Sequence, residues 1–373
     1  MNKSLVTPQP RSAISLMQPY QSGVPIEQAQ RELGIKKFIK LASNENPRGP
    51  SKKVLDAINS ASLNINRYPD SDGFELKNIL AERHAVDANS ITLGCGSNEI
   101  LELIASSYLD SNSSAVYSQY AFLVYALAVQ RCGAEHIVVN ANEFSHNLNE
   151  MKKSIKDNTK VIYLANPNNP TGTYIRKKNL IDFLSVVPSS IIVVLDEAYS
   201  DYISLKDYPD GISLLKKFPN LIITKSFSKA YGLGGLRIGY SISNPDIAEI
   251  LNRVRPPFNV SSISLIAAKA SLLDEEYIKE TVSLNASGME QMTQTFNEIN
   301  IKFIPSVANF IAFESPYDSN LLNKDLLNQG FILRPIANYG MPDYLRVSIG
   351  LASENEQFLT ILKKLVTSYR DRG

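Results

Sequence analysis

The sequence predicts an α/β protein in which a large domain with a mostly parallel central sheet, with helices on both faces, is followed by a smaller α+β domain. Short β-branched apolar runs alternate with amphipathic stretches from about residue 40 onward, which is typical of parallel sheets covered by helices. The 373 residues exceed the size of one ordinary core. After about residue 270, helix and strand signals mix as they do in α+β units.

Residues 1–39 are predicted to form an N-terminal arm and part of the small domain. Residues 1–18 are polar with scattered prolines, and this composition favours an extended arm. A short helix is predicted over Pro25–Leu33, because Gly34 follows it in the position where glycine commonly ends helices.

Residues 40–270 are predicted to form the large domain. Its clearest strand is Ile191–Leu195, a continuous apolar run of the kind found in strands buried on both faces. The other predicted strands are Ser90–Leu93, Ala115–Ser118, His136–Val139, Val161–Ala165, Leu221–Thr224 and Arg237–Ile242. Amphipathic stretches between them predict helices over Glu99–Tyr108, Phe122–Cys132 and Lys178–Val186.

Residues 271–373 are predicted to form the small α+β domain. A long polar helix is expected over Glu275–Asn300, and the last helix is expected to open on a capping box at Ser353–Glu356 and to run to Tyr369. Between them the pattern predicts strands Asn309–Phe313, Phe331–Arg334 and Leu345–Ile349, and a helix over Leu321–Asn328.

Composition excludes several classes of function. A net charge of +1 argues against nucleic acid as the main partner. Residues 1–10 lack the apolar core of a signal peptide, and no apolar run is long enough to span a bilayer, so a cytoplasmic location without membrane attachment is expected. Cys95 and Cys132 are too few for a disulfide framework, and His84, His136 and His146 lack metal-ligand spacing, so no metal is expected.

Two polar segments follow predicted strands at the carboxyl ends, where open α/β sheets bind ligands. Gly96, Ser97 and Asn98 lie between a strand and a helix start, where small residues and free N–H groups suit a phosphate; a tight turn is the alternative. The loop Asn166–Gly172 contains two prolines and three asparagines, which predict a rigid loop that can hold an amide donor against a ring oxygen. An ordinary turn remains possible for this loop.

Two further strand ends carry charged side chains. Asp196 directly follows five apolar residues, and a buried carboxylate there requires a cation or strong donors, unless it is a capping or salt-bridged residue. Lys229 follows Ser226 and Ser228 and precedes a glycine-rich run that ends at Arg237. A lysine made neutral by desolvation and neighbouring positive charge is a nucleophile, whereas the alternative is an ordinary surface lysine.

Arg334 and Arg346 fall on predicted strands of the small domain. Arginine suits bidentate binding of a carboxylate or phosphate, although a structural salt bridge is the alternative for either residue alone. Taken together, the clusters specify pyridoxal 5'-phosphate (PLP) as the cofactor. This cofactor requires an attachment lysine, an acid at its pyridine nitrogen, donors at its ring oxygen and a phosphate cup.

The order of these motifs resembles the class I/II aminotransferases of PLP fold type I. The motifs are Asn-Pro-Asn-Asn-Pro-Thr-Gly at 166–172, Asp-Glu-Ala-Tyr at 196–199, Ser-Phe-Ser-Lys at 226–229 and Gly-Leu-Gly-Gly-Leu-Arg at 232–237. The stretches 19–23, 40–47, 67–70 and 337–342 resemble, more narrowly, the histidinol-phosphate aminotransferases. The resemblance covers nearly the whole chain and implies transamination of L-histidinol phosphate with 2-oxoglutarate, giving imidazole-acetol phosphate and glutamate.

The resemblance also implies roles for individual residues. Lys229, Asp196 and Tyr199 are the implied catalytic residues. The implied cofactor-binding residues are Gly96, Ser97, Asn98, Tyr120, Asn169, Asp196, Tyr199, Ser226, Ser228, Lys229, Arg237 and, from a partner subunit, Tyr68. The implied substrate-binding residues are Tyr20, Asn46, Arg334 and Arg346. The role of Tyr68 implies a homodimer with shared active sites.

Three other functions share parts of this pattern. An aromatic amino-acid aminotransferase acting on phenylalanine or tyrosine carries closely similar motifs, and the sequence does not identify the residues that contact the imidazole. A PLP-dependent decarboxylase of a phosphorylated amino acid shares the core motifs. A non-catalytic PLP-binding regulator would normally carry an additional DNA-binding domain, for which the N-terminal arm is too short.

Overall fold

The computed structural model describes residues 8–19 and 23–371. The strands are β1 (Ile39–Lys40), β2 (Ile91–Gly94), β3 (Ser114–Ser118), β4 (Glu135–Val139), β5 (Thr159–Ala165), β6 (Ile192–Asp196), β7 (Leu221–Ser226), β8 (Gly239–Ser243), β9 (Phe310–Glu314), β10 (Phe331–Ile332), β11 (Arg334–Pro335) and β12 (Tyr344–Ser348). The helices are α1 (Ser12–Ser15), α2 (Ile26–Leu33), α3 (Lys52–Ala61), α4 (Phe74–His84), α5 (Ser97–Tyr108), α6 (Leu123–Cys132), α7 (Leu148–Lys153), α8 (Lys177–Leu184), α9 (Gly211–Leu214), α10 (Pro245–Val254), α11 (Ser262–Leu272), α12 (Glu275–Glu298), α13 (Ser319–Asn328) and α14 (Ala352–Arg370).

A seven-stranded sheet in the order β2-β8-β7-β6-β5-β3-β4 forms the centre of the molecule. Only β8 runs antiparallel to its neighbours, so the prediction of a mostly parallel sheet is confirmed. Apolar side chains cover both faces: Ile104 and Tyr125 pack on one side, and Leu180 and Phe183 on the other. Because both faces are buried, ligands can reach these strands only at their ends.

A second, smaller layer is built on the antiparallel sheet β11-β12-β9. Its core contains Phe313 from β9 and Phe358 from α14, and Leu41 from the N-terminal part of the chain joins it. Strand β1 pairs in parallel with β10, so the segment after α2 is tied to this layer. The boundaries after residues 39 and 270 stay predictions.

Most predicted strands and helices are present within a few residues of their expected bounds. Helix α2 ends at Gly34, whose φ of +69° is the left-handed conformation that glycine adopts readily. The strand predicted from Arg237 instead starts at Gly239. Arg237 itself has a φ of +51° and lies outside the strand, so its side chain is available to the sheet edge.

Two expectations about the chain ends are wrong. Residues 8–19 do not form a purely extended arm, because the N–H groups of Ile14 and Ser15 donate to the Arg11 carbonyl and form the turn α1. The last helix begins at Ala352 rather than at Ser353. The Glu354 carboxylate accepts the Leu351 N–H at 2.8 Å, which moves the start of the helix upstream.

Among the residues described, no helix is both long and apolar enough to cross a membrane.

Candidate active site

A cavity of about 190 Å³ opens where the strands of the central sheet end. Because β8 is antiparallel, its first residues lie at the same sheet edge as the carboxyl ends of β2 and β5–β7. The small sheet and the segment after β1 close the other side. The lining residues are Gly23, Ala42, Ser43, Asn44, Ser97, Asn98, Phe122, Ala165, Pro167, Asn169, Asp196, Ala198, Tyr199, Ser226, Ser228, Lys229, Arg237, Arg334, Tyr339 and Arg346.

One end of the cavity is built to receive an anion. Helix α5 begins there at Ser97, and the N–H groups of its first turn carry partial positive charge. The Arg237 guanidinium donates to the Ser228 hydroxyl at 3.2 Å, and the Ser228 N–H donates to the Ser226 hydroxyl at 3.1 Å. The φ of Gly96 is +77°, which favours glycine, and a Cβ there would lie 2.3 Å from the Arg237 guanidinium and would displace it. Hydroxyls, N–H groups and a guanidinium therefore converge at this end of the cavity, where they can bind an anion.

Asp196 ends β6 in the floor of the cavity. Both of its carboxylate oxygens accept hydrogen bonds from hydroxyls, one from Tyr125 at 2.8 Å and one from Thr224 at 3.0 Å. Burial raises the pKa of Asp196, and these two hydrogen bonds only partly offset that effect. A buried carboxylate of this kind gains strongly from a cation placed against it.

Lys229 and Lys225 lie four residues apart in very different surroundings. Lys225 lies 3.1 Å from the Glu197 carboxylate; although burial opposes its charge, Glu197 and Asp201 hold its pKa above the ordinary value. Lys229 reaches into the cavity, where its Nζ donates to the Ser43 carbonyl at 3.1 Å. Burial, reinforced by the Arg346 guanidinium, lowers the pKa of Lys229 to about 7. Near neutral pH Lys229 can therefore supply a neutral amine, whereas Lys225 stays charged.

Arg334 and Arg346 are directly opposite each other across β11 and β12. Both are buried and both line the cavity that contains Lys229. Arg346 donates to the Asn169 side-chain oxygen and to the Ala42 carbonyl, the latter at 2.7 Å. Like charges directly opposite in a sheet repel each other, so an anionic ligand group beside this pair would be strongly stabilised.

The cavity brings together most of the residues predicted from the sequence. Those that line it are Ser97, Asn98, Asn169, Asp196, Tyr199, Ser226, Ser228, Lys229, Arg237, Arg334 and Arg346, and Gly96 lies directly behind Arg237. Tyr20 lies outside the described residues. Tyr68 is 83% exposed and stacks on Phe258, so it does not reach the cavity of its own chain.

Two predicted residues lie outside the cavity lining. The Tyr120 ring lies near Phe144, with centroids 6.0 Å apart, whereas Phe122, directly before α6, lines the cavity. Asn46 is buried, with its amide donating to the Ala230 carbonyl at 2.8 Å. The roles expected for Tyr120 and Asn46 stay predictions.

Sequence reasoning missed four contributors to this site: Phe122, Tyr125, Thr224 and Asn44. Thr224 was visible as a hydroxyl residue two positions before Ser226 on β7, and its alignment with Asp196 across the parallel pair β6–β7 could have been inferred from strand register. Asn44 donates to the Tyr199 hydroxyl at 2.9 Å, and the sequence carried no signal for this pairing.

Comparison with known proteins places this geometry in a family. The family model for aminotransferase class I and II matches residues 36–362, which include every described charged residue of the cavity. The chain belongs to the class I and II aminotransferases. The prediction of PLP fold type I is thereby confirmed, and the cofactor of this aminotransferase is pyridoxal 5'-phosphate.

Individual relatives narrow the comparison. The chain is 48% identical to histidinol-phosphate aminotransferase 2 of Pseudomonas fluorescens (strain Pf0-1), with 95% of this chain and 96% of the relative covered. It is 47% identical to histidinol-phosphate aminotransferase 2 of Pseudomonas aeruginosa, with 98% and 99% covered. The histidinol-phosphate aminotransferase of Sinorhizobium meliloti, solved in complex with PLP, superimposes with a TM-score of 0.89 at 26% identity and 98% and 99% coverage.

The side chains of this aminotransferase fit PLP. The cofactor brings a phosphate, a basic pyridine nitrogen, a phenolic oxygen and an aldehyde that reacts with an amine. The cavity offers the anion-binding end around Arg237, the buried carboxylate of Asp196, polar groups on Asn169 and Tyr199, and the amine of Lys229. In particular, the raised pKa of Asp196 is the property expected of a carboxylate that awaits a cationic partner.

Proposed function

We propose that this chain transfers the amino group of L-histidinol phosphate to 2-oxoglutarate, as a step of L-histidine biosynthesis. The observation that carries the proposal is the arginine pair Arg334 and Arg346, which faces the same cavity as the amine of Lys229. Histidinol phosphate carries a phosphate and 2-oxoglutarate a carboxylate in the place where this pair lies, so one site can serve both halves of the reaction. The names of the relatives at 47–48% identity support the same substrate.

Lys229 is proposed to be the residue that would hold the cofactor and would then move a proton at the substrate Cα. A pKa near 7 lets the amine accept a proton at Cα and release it again at neutral pH. Bound PLP supplies an electron-withdrawing ring that stabilises negative charge at the substrate Cα. Asp196 keeps the pyridine nitrogen protonated, and Asn169 and Tyr199 hold the ring oxygen.

The remaining cavity residues are proposed to position the reactants. Gly96, Ser97, Asn98, Ser226, Ser228 and Arg237 would hold the cofactor phosphate, Phe122 would contact the ring from the cavity wall, and Tyr120 stays a predicted ring contact. Arg346 binds the acidic group of the substrate, with Arg334 beside it. Tyr20 stays a predicted substrate contact, and the cytoplasmic location stays a prediction.

The experiment that tests this proposal is a half-reaction without keto acid. Cofactor-loaded protein is mixed with histidinol phosphate, phenylalanine, tyrosine or glutamate at matched concentrations, and loss of the visible absorption of the lysine-bound cofactor is followed. Histidinol phosphate is expected to react about 10- to 100-fold faster than phenylalanine, since charge-assisted hydrogen bonds to its phosphate stabilise its transition state by about 1.5–3 kcal/mol.

The variant Arg334→Gln tests the role of the arginine pair in the same half-reaction. It keeps Arg346 for a single carboxylate and removes the second guanidinium, so it should slow histidinol phosphate more than phenylalanine. Faster reaction of the aromatic donors in the parent protein would make the chain an aromatic amino-acid aminotransferase. Release of carbon dioxide, or no reaction with any donor, would favour the decarboxylase or the regulator.

We further propose that the chain acts as a homodimer with shared sites. Support comes from the exposed apolar side chains of Leu63, Ile65, Tyr68, Phe74 and Phe258, because exposed apolar groups mark interaction surfaces where they lie together, as Tyr68 and Phe258 do. Tyr68 is 83% exposed, so a second subunit could bury it. Its proposed role is to reach the phosphate of the partner's cofactor.

Light scattering is expected to give twice the chain mass of 41.3 kDa. Ile65→Asp replaces one of these exposed apolar side chains with a charge and should shift the protein toward the monomer and weaken cofactor retention. Leu16→Asp is the control, since Leu16 is also exposed, at 75%, and lies directly after α1. A monomeric parent protein, or equal behaviour of the two variants, would contradict the dimer.

A further inference from the structure

Asn44 lies in the cavity wall between the small sheet and the central sheet, and it is 1% exposed. Its φ of +54° is in the left-handed region, which asparagine tolerates better than most residues. The Asn44 N–H donates to the Ser348 hydroxyl at 2.8 Å, and its carbonyl accepts from the Asn309 side-chain amide at 3.0 Å. The residue is therefore held firmly on its backbone side.

The same hydroxyl also contacts the Asn44 side chain. The Ser348 oxygen accepts the Asn44 N–H and donates its proton to the Asn44 side-chain oxygen, 3.2 Å away. The amide oxygen thus faces Ser348 in the structure, and the amide nitrogen faces Tyr199 at 2.9 Å. Because an amide nitrogen can only donate, the Tyr199 oxygen must be the acceptor in this contact.

This direction has a chemical consequence for Tyr199. A phenol has one proton, and a phenol whose oxygen accepts a hydrogen bond becomes a better donor through that proton. The Tyr199 ring is buried and packs edge-on against Phe310, with centroids 5.2 Å apart, so the hydroxyl has little freedom to move. The Tyr199 proton is therefore not used toward Asn44, and Tyr199 lines the cavity.

We propose that Asn44 is a positioning residue, which donates to Tyr199 and thereby directs the Tyr199 proton to the ring oxygen of the bound cofactor. The inference deepens the proposed function and rests on it, because that proposal assigns Tyr199 to the ring oxygen. Ser348 and Arg346 both lie on β12, so the strand that binds the substrate anion also sets the donor to the cofactor.

The decisive variant is Asn44→Asp, which keeps the shape of the side chain and reverses its hydrogen bonding. A carboxylate only accepts, so Tyr199 would donate to it, and the cofactor oxygen would lose Tyr199 as a donor and keep Asn169. The readout is the pH midpoint of the visible absorption of the lysine-bound cofactor, titrated without substrate. Loss of the donor makes the ring oxygen more basic and should raise that midpoint by about one unit.

Asn44→Gly is the second variant, because glycine keeps the left-handed backbone and removes the amide without adding charge. It should raise the midpoint in the same direction by a smaller amount. Each variant is also made in the Tyr199→Phe background. Since Asn44 acts through the phenol hydroxyl, Asn44→Gly should add no further shift there, which a merely structural role would not predict.

Three results would overturn one or another part of this inference. Equal shifts from Asn44→Gly in both backgrounds would show that the residue does not act through Tyr199. An unchanged midpoint in both Asn44 variants, with a raised midpoint in Tyr199→Phe, would remove the positioning role and leave the proposed function intact. An unchanged midpoint in Tyr199→Phe itself would instead overturn the assignment of Tyr199 to the ring oxygen.

Discussion

Lys229→Ala is expected to lower the rate of transamination by more than about 10⁴-fold, since it removes both the covalent anchor and the group that carries the proton. Its Nζ lies in the cavity, where its hydrogen bond to the Ser43 carbonyl is 3.1 Å long. Removal of this side chain leaves the apolar cores unchanged, so the variant should fold. The measurements are single-turnover kinetics and the visible absorption of protein mixed with PLP.

Lys216→Ala is the control, because Lys216 is an exposed lysine of the same large domain. It should keep the visible absorption and the rate of the parent protein. The Lys229→Ala protein should bind PLP weakly, without the absorption of a lysine-bound cofactor. Its melting temperature should be close to that of the cofactor-free parent protein. Retention of that absorption in Lys229→Ala would show that another lysine carries the cofactor.

The sequence predicted the fold and the charged centre of the site for the same reason. Strands that are buried on both faces have uninterrupted apolar sequences, and Ile191–Leu195 is such a sequence. A charged residue at the end of such a run must lie at a sheet edge, and that rule located Asp196. Lys229 and Arg237 followed from the same rule, because the chain crosses one sheet edge between β7 and β8.

Side chains at loop positions were less predictable, as Tyr120 and Phe122 illustrate. Both are aromatic residues just after β3, and a shift of two residues decides which one enters the cavity. The choice depends on where the chain turns into α6, since Phe122 occupies the position directly before that helix. Helix starts are uncertain by one or two residues in sequence reasoning, which is the size of this shift.

Polar contacts between segments that are not neighbouring strands could not be predicted. Asn44 and Tyr199 are 155 residues apart, and Tyr125 and Asp196 are 71 apart. A single polar residue has many partners available in a sequence, and only the packed layers select one. The opposition of Arg334 and Arg346 has the same origin, because it depends on the register of β11 against β12.

Asp196→Asn is expected to lower the transamination rate by about 10²- to 10³-fold and yet leave the cofactor-free protein at least as stable as the parent at pH 7. Loss of a partner from a buried ion pair costs about 3–5 kcal/mol, and here the lost partner is the counter-ion of the protonated pyridine. Asparagine keeps the shape: its oxygen can accept from one of the two hydroxyls of Tyr125 and Thr224, and its NH2 group can donate to the other, so the local packing should be retained.

The expected stability of the cofactor-free Asp196→Asn protein follows from the direction of the Asp196 pKa shift. Burial raises the pKa of Asp196 in the folded state, so above that pKa the ionised carboxylate lowers the free energy of unfolding. That cost disappears as the pH falls through the raised pKa, and asparagine removes it at every pH. Thermal melts of the two cofactor-free proteins should therefore converge at acidic pH and differ most near neutrality, with the variant never below the parent.

Thr224→Val provides the comparison, because it removes one of the two hydroxyl donors to Asp196 and keeps the carboxylate. Its cofactor-free form should be less stable than the parent at pH 7, and its rate should fall by about tenfold or less, as expected for a single hydrogen bond. If Asp196→Asn destabilised the cofactor-free protein more than Thr224→Val did, the carboxylate would be a structural element of the sheet edge. A lower rate together with an equal or higher stability in Asp196→Asn is the result expected if the carboxylate serves to bind a cationic cofactor.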